Sequence, residues 1–297
     1  MKIYDCFMYF DEDLILDLRL NILDKFVDYF VIVESIFTHR GEKRNLKFNI
    51  NKFKKFESKI IYLVYDQEPS QIEKIVSKDT EDEKSRKYIM NALFRENAQR
   101  NFINRALNNL DNEDVILVSD VDEIPNLKGI NFEEKKSKII LFKQDMLYYK
   151  FNLKLPNLAW TGTKACKKKY FKSAQWLRNV KDRKYPFYRV DTYFSEKKYI
   201  NCEFIENGGW HFTNIMSPED LEKKLLGFLH HVDYESSGLK LEDLKRLMNE
   251  KRVMYNNSAD KKNQKWGVGK KLQKKDLSEM PNYVLNNINK YKLWLDI

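Results

Sequence analysis

The chain has 297 residues, with 54 Lys or Arg and 44 Asp or Glu, which gives a formal net charge of +10. A chain of this length can bury a large hydrophobic core, and its positive charge favours an anionic partner such as a nucleotide, a nucleic acid or a phospholipid surface. The three cysteines lie far apart and form no CxxC pair, which argues against a disulfide scaffold and a zinc ribbon.

The sequence predicts no signal peptide and no membrane span. No stretch approaches ~20 uninterrupted apolar residues. The first apolar segment also contains Asp5, Asp11, Glu12 and Asp13, which a signal peptide would not carry. We therefore expect a cytoplasmic protein, and the net charge leaves peripheral contact with an anionic membrane open.

Apolar runs and amphipathic stripes alternate along the first 125 residues. Runs rich in β-branched residues predict strands over 2–10, 28–35, 60–66 and 115–118. Apolar residues at every third or fourth position predict helices over about 12–25 and 91–110. The polar stretch 67–86 is predicted to be a mobile excursion. This alternation favours a parallel, doubly wound sheet.

The second half of the chain is predicted to add strands and helices to the same domain. Its apolar runs predict strands over 138–152, 188–194 and 199–206. Ser217 and Pro218 signal the start of one helix, and two more are predicted over 240–253 and 280–295. Neither a repeat nor a linker is visible, so we expect a single domain over 1–297.

Asp120 and Asp122 follow a buried apolar strand directly, in the stretch DVILVSDVDEIP. In an extended chain they point to the same face, where two carboxylates repel each other unless a cation lies between them. Mg²⁺ and Mn²⁺ prefer such hard oxygen ligands, and open α/β sheets bind ligands at the carboxyl ends of their strands. For so short a motif, an acidic turn that only closes the strand is the alternative.

Two further features bear on a nucleotide site. The sequence contains neither GxGxxG nor GxxxxGK[ST], so metal and basic side chains would have to hold the phosphates of a bound nucleotide. The stretch ENGGWHFT places His211 after two glycines, and a neutral imidazole there could complete a metal shell begun by the carboxylates. A structural histidine is the alternative.

The segment 164–184 is dense in Lys and Arg, with three interleaved aromatic residues. Its composition is that of a single-stranded nucleic-acid surface. A solvated basic face beside an anionic substrate is commoner, and no recognised nucleic-acid motif is present, so a nucleic-acid partner is not favoured.

With these pieces placed, the chain resembles glycosyltransferase family 17. Five ordered motifs carry the resemblance: YDCFMYFDEDLILDLRLNIL, DYFVIVESIFTHRG, RENAQR, SDVDEIP, and GGWHF followed by SPEDLEKKL and His230. The resemblance implies an α/β, GT-A-like single domain with a mostly parallel central sheet flanked by helices. Residues 1–125 would form its nucleotide-sugar-binding half, and 126–297 the acceptor-side half with the C-terminal helices.

The resemblance also implies a reaction. It is the inverting transfer of N-acetylglucosamine, or a related sugar, from a UDP-sugar such as UDP-GlcNAc to a glycan acceptor, aided by Mn²⁺ or Mg²⁺. Asp120 and Asp122 match the metal-binding DxD motif, with His211 as a third candidate ligand. Animal members carry an N-terminal membrane anchor and act in the Golgi lumen, whereas this chain begins at the catalytic region. We therefore expect a cytosolic enzyme, and the N-glycan acceptor is not carried over.

The residues expected to bind the donor lie near strand ends and on the helix over 91–110: Glu34, Arg95, Gln99, Arg100, Asp120 and Trp210. An ion pair between Arg100 and Glu96 is a structural alternative for Arg100. An inverting transfer also needs a general base near the acceptor hydroxyl, and the sequence leaves three carboxylates open for this role: Asp145, Glu206 and Glu123.

Two other classes of function compete with a transferase. A metal-dependent phosphoesterase or nuclease could use the same acids, but it would want a second set of metal ligands that the sequence does not offer. A non-catalytic carbohydrate- or nucleic-acid-binding protein would use the basic aromatic segment, and it leaves the acidic strand end unexplained.

Overall fold

The computed structural model describes residues 1–227, 234–235, 237–255, 266–267 and 269–297. Within these ranges, no helix combines the length and the apolar character needed to cross a membrane. His230 and the neighbouring His231 lie outside the described residues.

The described part of the chain forms one mixed sheet of ten strands. The strands are β1 (Ile3–Tyr9), β2 (Tyr29–Ser35), β3 (Ile60–Tyr65), β4 (Val115–Asp120), β5 (Glu123–Pro125), β6 (Ile139–Tyr148), β7 (Leu153–Lys167), β8 (Cys202–Ile205), β9 (Gly209–Thr213) and β10 (Gln273–Lys274). Their order is β3-β2-β1-β4-β7-β6-β9-β5, with β8 beside β6 and β10 beside β7. The two predicted halves therefore share a single sheet.

Helices flank this sheet. The α-helices of the described ranges are α1 (Asp13–Leu23), α2 (Glu81–Phe102), α3 (Ala174–Asn179), α4 (Pro218–Gly227), α5 (Leu241–Asn249), α6 (Asn282–Leu285) and α7 (Ile288–Tyr291). Shorter 3₁₀ segments include Ile50–Lys59, Ile103–Leu107, Val190–Thr192 and Lys292–Trp294.

The sheet is parallel throughout its first half but mixed in its second, where β8 and β9 pair in parallel with β6, so the prediction of a mostly parallel sheet is confirmed only in part. β1 pairs in parallel with β2 and β4, and β2 with β3. β7 runs antiparallel to both β4 and β6. The physical reason lies in the connections: helical segments allow parallel crossovers, whereas only four residues, 149–152, join β6 to β7 as a hairpin.

The apolar runs of β1, β2 and β4 are buried on both faces of the sheet, and that of the edge strand β3 is half-buried. In β1, Phe7 and Tyr9 pack into a cluster with α1 and the C-terminal helices. Tyr4 and Cys6, on the opposite face, pack with residues of the segment after α2 and of α3. This alternation explains why the strand predictions for this half are confirmed to within a residue or two.

Three element predictions fail at places where the hydrophobic pattern carries little information. Helix α2 begins ten residues before its predicted start, at Glu81, because Thr80 and Glu83 form a reciprocal capping box. The predicted strand 188–194 is instead an exposed loop with one 3₁₀ turn. The predicted closing helix over 280–295 is two short helices followed by a 3₁₀ turn.

Candidate functional site

A cavity of about 430 Å³ lies at the carboxyl ends of β1 and β4. Its lining residues come from both strand ends, the segment after β2, α2, the end of β9, α4 and the C-terminal part of the chain: Met8, Tyr9, Phe10, Glu12, His39, Glu96, Gln99, Arg100, Asp120, Val121, Asp122, Thr213, Asn214, Lys224, Leu225, Met254, Tyr255 and Trp266. The cavity therefore lies where a parallel half-sheet is expected to bind its ligand.

Arg19 of α1 holds the backbone of the acidic stretch from inside the protein. Its guanidinium makes a bidentate pair with Asp5 at 2.6 and 2.7 Å, and both side chains are fully buried. It also donates hydrogen bonds to the carbonyls of Asp120, Val121 and Glu123 at 3.0 to 3.1 Å. Because the guanidinium has a fixed planar fork, it fixes the turn from which the acidic side chains project.

Asp120 is held by two arginines. Its carboxylate accepts hydrogen bonds from Arg100 at 3.1 Å and from Arg178 at 3.0 Å. Burial by itself would raise the pKa of Asp120, but the Arg178 and Arg100 charges outweigh that effect and hold the pKa below its ordinary value. Arg100 also pairs with Glu96 at 2.7 Å, so the predicted structural pair and the contact with the acidic stretch coexist.

Glu123 is buried beneath this network, with 1 % of its side chain exposed. Its oxygens accept hydrogen bonds from the Trp160 indole at 2.6 Å, from Arg178 at 2.7 Å and from the backbone N–H of Asp120 at 2.8 Å. Glu123 does not line the cavity. These partners give Glu123 a structural role, and its position is poorly suited to the predicted role of general base.

Asp122 faces the cavity and lies beside His211, as the sequence predicts. The Asp122 Oδ2 and His211 Nε2 atoms are 3.4 Å apart. Burial lowers the pKa of His211, but the adjacent Asp122 carboxylate outweighs it and the net pKa is raised. For Asp122, burial raises the pKa and the histidine outweighs it in the opposite direction. The strongest interaction of Asp122 is therefore with a histidine, whereas Asp120 is fixed by two arginines.

Backbone geometry explains the glycines of the GGWH motif. The Phe212 N–H donates to the Asp122 carbonyl at 2.9 Å, and β5 pairs with β9 so that Ile124 lies opposite Trp210. Gly209 has a φ of +133°, and a Cβ there would lie 2.2 Å from the Ile124 carbonyl oxygen. Only glycine allows the close approach that brings His211 to Asp122.

The donor atoms allow a test of the predicted metal site. The described residues contain no group of three His, Cys, Asp or Glu side chains arranged to hold a metal. Asp122 suits a nucleotide-bound Mg²⁺ or Mn²⁺, because these ions often take one protein carboxylate together with phosphate and water oxygens. Each oxygen of Asp120 already accepts a hydrogen bond from an arginine, so fewer of its lone pairs are open to a cation. The prediction that Asp120, Asp122 and His211 hold a metal stays a prediction.

The model of glycosyltransferase family 17 matches residues 1–296. The chain belongs to glycosyltransferase family 17. The human β-1,4-mannosyl-glycoprotein 4-β-N-acetylglucosaminyltransferase is 25% identical over 309 aligned positions, which cover 95% of this chain and 52% of the human protein. The chain thus spans about half the length of that relative. The predicted family is confirmed, and the protein is a glycosyltransferase.

The cavity of this family 17 enzyme contains charged residues that the sequence analysis did not assign to the site. Glu12 accepts hydrogen bonds from the N–H groups of Phe10 and Asp11 at 2.9 and 3.0 Å. Burial raises the pKa of Glu12, and the nearby Asp122 carboxylate adds a smaller effect in the same direction. Lys224 of α4 adds a cation whose charge acts on both carboxylates. An acid at a helix start is ordinarily explained by the helix dipole, which is why no sequence pattern singles out Glu12.

Aromatic side chains form another part of the cavity lining that the sequence analysis did not assign. Tyr9 and Phe10 extend from the end of β1, and Tyr255 and Trp266 come from the C-terminal part of the chain. The Tyr255 and Trp266 rings meet edge to face, with their centroids 5.4 Å apart. Aromatic rings beside charged groups are suited to packing against a nucleobase or a sugar ring.

Two predicted donor-binding residues of the glycosyltransferase support loops instead of lining the cavity. Glu34 is fully buried and accepts the N–H groups of Lys47 and Phe48 at 2.7 and 3.0 Å. Arg95 pairs with Glu68 at 2.9 Å and donates to the carbonyl of His39, a cavity residue, at 3.1 Å. By contrast, Gln99, Arg100 and Asp120 line the cavity as expected.

Three other predicted residues lie outside the cavity lining. Asp145 is paired at 2.5 Å with both Lys154 and Lys275. Glu206 is exposed in the turn between β8 and β9. Trp210 packs against the core, and its indole donates to the Glu279 carbonyl at 3.4 Å. Trp210 lies next to His211 in the GGWH motif, but β9 carries alternate side chains to opposite faces, so the two side chains point in opposite directions.

Proposed function

We propose that this enzyme transfers N-acetylglucosamine from UDP-GlcNAc to a hydroxyl of a glycan acceptor with inversion of configuration. The observation that carries the proposal is the cavity in which Asp122 lies with Arg100 and Lys224 at the carboxyl ends of β1 and β4. Such a site provides a carboxylate that can hold a metal ion and two basic side chains, as the diphosphate of a sugar nucleotide requires in the absence of a Gly-rich loop. The printed name of the human relative supports N-acetylglucosamine as the transferred sugar.

Asp122 is the residue that would hold a divalent cation, Mn²⁺ or Mg²⁺. When bound, the cation supplies positive charge against the departing UDP. Arg100 and Lys224 would neutralise the rest of the diphosphate charge. Arg100 is well placed for this because Glu96, Asp120 and Gln175 fix its guanidinium at 2.5 to 3.1 Å, so that little reorganisation is needed when the donor binds.

Glu12 is our candidate for the general base. In the transfer, the acceptor oxygen bonds to the anomeric carbon, the bond from that carbon to the UDP oxygen breaks, and a carboxylate takes the hydroxyl proton. Glu12 lines the cavity, and two backbone N–H groups orient it. Burial raises its pKa, which makes its carboxylate a stronger base than an exposed one.

Product analysis tests the proposal directly. The purified chain would be incubated with UDP-GlcNAc, Mn²⁺ and a panel of oligosaccharide acceptors, with UDP release followed and the product linkage assigned by NMR. We expect acceptor-dependent UDP release and a β-linked product, since the donor sugar is α-linked. An α-linked product would contradict inversion, and turnover of another UDP-sugar in place of UDP-GlcNAc would contradict the donor assignment.

A further inference from the structure

An exposed loop between α3 and β8 carries the largest concentration of exposed aromatic side chains in the described part of the chain. We call residues 182–196 the aromatic loop. A backbone hydrogen bond from Lys181 to the carbonyl of Lys197, 2.7 Å long, closes its two ends. Inside the loop, the buried Thr192 donates to the Arg189 carbonyl at 2.6 Å, within a 3₁₀ turn. The loop is therefore held together by its own polar contacts, as in a compact Ω-type loop.

The side chains that would ordinarily fill the inside of such a loop point to solvent. The exposed fractions lie between 67% and 86% for five residues: Phe187, Tyr188, Val190, Tyr193 and Phe194. Single exposed apolar residues need no explanation, but five within eight positions form a patch. Such a patch is typical of a surface that binds a membrane or another molecule.

Positive charge surrounds this patch. Residues 181–198 contain six basic and three acidic side chains. Arg189 and Lys198 share Asp191, each at 2.7 Å, and Arg183 and Lys184 make no ion pair with a described residue. Lys172 reaches Glu196 at 3.3 Å, so the basic segment before α3 is continuous with the loop. A cationic rim around an apolar tip favours a partner that is both apolar and anionic.

We propose that the aromatic loop docks this enzyme on the surface of an anionic phospholipid membrane. Aromatic side chains settle at the level of the lipid head groups, and Lys and Arg bind anionic head groups electrostatically. Phe187, Val190 and Phe194 have no polar side-chain atoms to bond with sugar hydroxyls, which favours lipid over carbohydrate as the occupant. This inference is independent of the proposed donor and reaction.

The loop is fastened to the scaffold close to both of its ends. Lys164 of β7 donates to the carbonyls of Arg178 and Val180 at 2.5 and 2.6 Å. The Trp176 indole donates to the Glu196 carbonyl at 2.7 Å. Since Arg178 itself binds Asp120, docking through the loop would fix the orientation of the acidic stretch relative to the membrane.

Vesicle co-sedimentation tests the inference. The full chain would be mixed with vesicles of phosphatidylcholine alone, or of equal parts phosphatidylcholine and phosphatidylglycerol, at low and high salt. We expect binding to the anionic vesicles that weakens with salt, and little binding to the neutral ones. A wild-type protein that remains in the supernatant with anionic vesicles would overturn the inference.

Paired variants separate the apolar and the electrostatic contributions. Phe187→Ser with Phe194→Ser should reduce the affinity for anionic vesicles about tenfold or more. The matched control is Leu293→Ser with Ile297→Ser, two apolar residues that are also about 70% exposed, and it should bind like the wild type. Arg183→Gln with Lys184→Gln should reduce binding several-fold, against Lys128→Gln with Lys136→Gln as exposed controls.

Because all these positions are exposed, each variant is expected to keep the circular dichroism spectrum and melting temperature of the wild type. A Phe187→Trp reporter should show a blue shift of its fluorescence only with anionic vesicles. Unchanged vesicle binding by the aromatic variant would overturn the inference. A dimer in sedimentation velocity that this variant loses, without any vesicle binding by the wild type, would assign the loop to self-association instead.

Discussion

The carboxylates on the two sides of the acidic stretch have different surroundings. On the inner side, away from the cavity, Asp5 and Glu123 accept hydrogen bonds from Arg19 and Arg178, and their charges are compensated within the fold. Asp120 lines the cavity but is likewise held, by Arg100 and Arg178. On the cavity side, the Asp122 charge raises the pKa of Glu12, Lys224 acts on both carboxylates, and His211 lies beside Asp122. Carboxylates with both kinds of surroundings occur within the four residues 120–123.

The comparison teaches how a strongly acidic turn can be both rigid and reactive. Charges fixed by arginine define where the backbone runs, because a guanidinium fork fixes geometry and stays protonated. Carboxylates that face the cavity retain the perturbed pKa values typical of binding and catalytic groups. Removing a group from the cavity side should therefore cost activity, and removing one from the inner side should cost stability.

The largest expected effect concerns Glu12. Glu12→Gln should lower kcat by about 10²–10⁴-fold with little change in KM for the donor, because the base acts only in the chemical step. Because the pKa of Glu12 is raised, wild-type activity should be lost as the pH is lowered, and this loss should begin above the pH range in which an ordinary glutamate titrates. Below that pKa the base is protonated and inactive.

Glu206→Gln is the matched control, because Glu206 is exposed and lies outside the cavity lining. It should leave both kcat and the pH profile unchanged. If Glu206→Gln abolished turnover while Glu12→Gln did not, the placement of the base on the cavity side would be wrong.

The next effect concerns Arg19 and is measured as stability. Arg19→Met should lower the free energy of unfolding by about 3–5 kcal/mol, since it leaves the buried Asp5 carboxylate without its partner. Urea denaturation followed by circular dichroism measures this change. Lys223→Met is the control, because Lys223 and Asp220 form an exposed pair at 3.3 Å. Equal stability of the two variants would show that the inner network does not brace the fold.

The smallest effect is expected at the basic surface of residues 167–169. Lys167 and Lys169 both pair with Glu113, away from the cavity. Changing Lys167, Lys168 and Lys169 together to Gln should leave the affinity for UDP-GlcNAc within about twofold, since these partly exposed charges lie outside the cavity lining and are screened by salt. Calorimetric titration measures it. Loss of nucleotide-sugar binding in this variant would move the donor site to the basic surface.

The sequence alone predicted the cavity side in part. A β-branched run followed directly by two acids placed Asp120 and Asp122 at a strand end, and the paired glycines of the GGWH motif indicated a close approach near His211. The contacts that separate Asp120 from Asp122 could not be predicted. Arg178 and Trp160 reach Glu123 from α3 and β7, which are 55 and 37 residues away, and no local pattern reports such pairs.

The fold, too, could be predicted from the sequence only in part. Strands of the first half have apolar residues on both faces, so their patterns fix their positions. The direction of β7 depends instead on a four-residue connection and on its partners β4 and β6, which the hydrophobic pattern does not encode. The loop at 188–194 reads as a strand because it contains β-branched and aromatic residues, although these lie outside the core.

The central claim is that Asp122, facing the cavity, binds the donor through a divalent cation. Calorimetric titration of UDP-GlcNAc with and without Mn²⁺ tests it most directly, on the wild type, on Asp122→Asn and on the exposed control Asp220→Asn. We predict Mn²⁺-dependent binding in the wild type and control, weakened about a hundredfold or more in Asp122→Asn without loss of fold. Equal Mn²⁺-dependent affinity in all three proteins would contradict the claim.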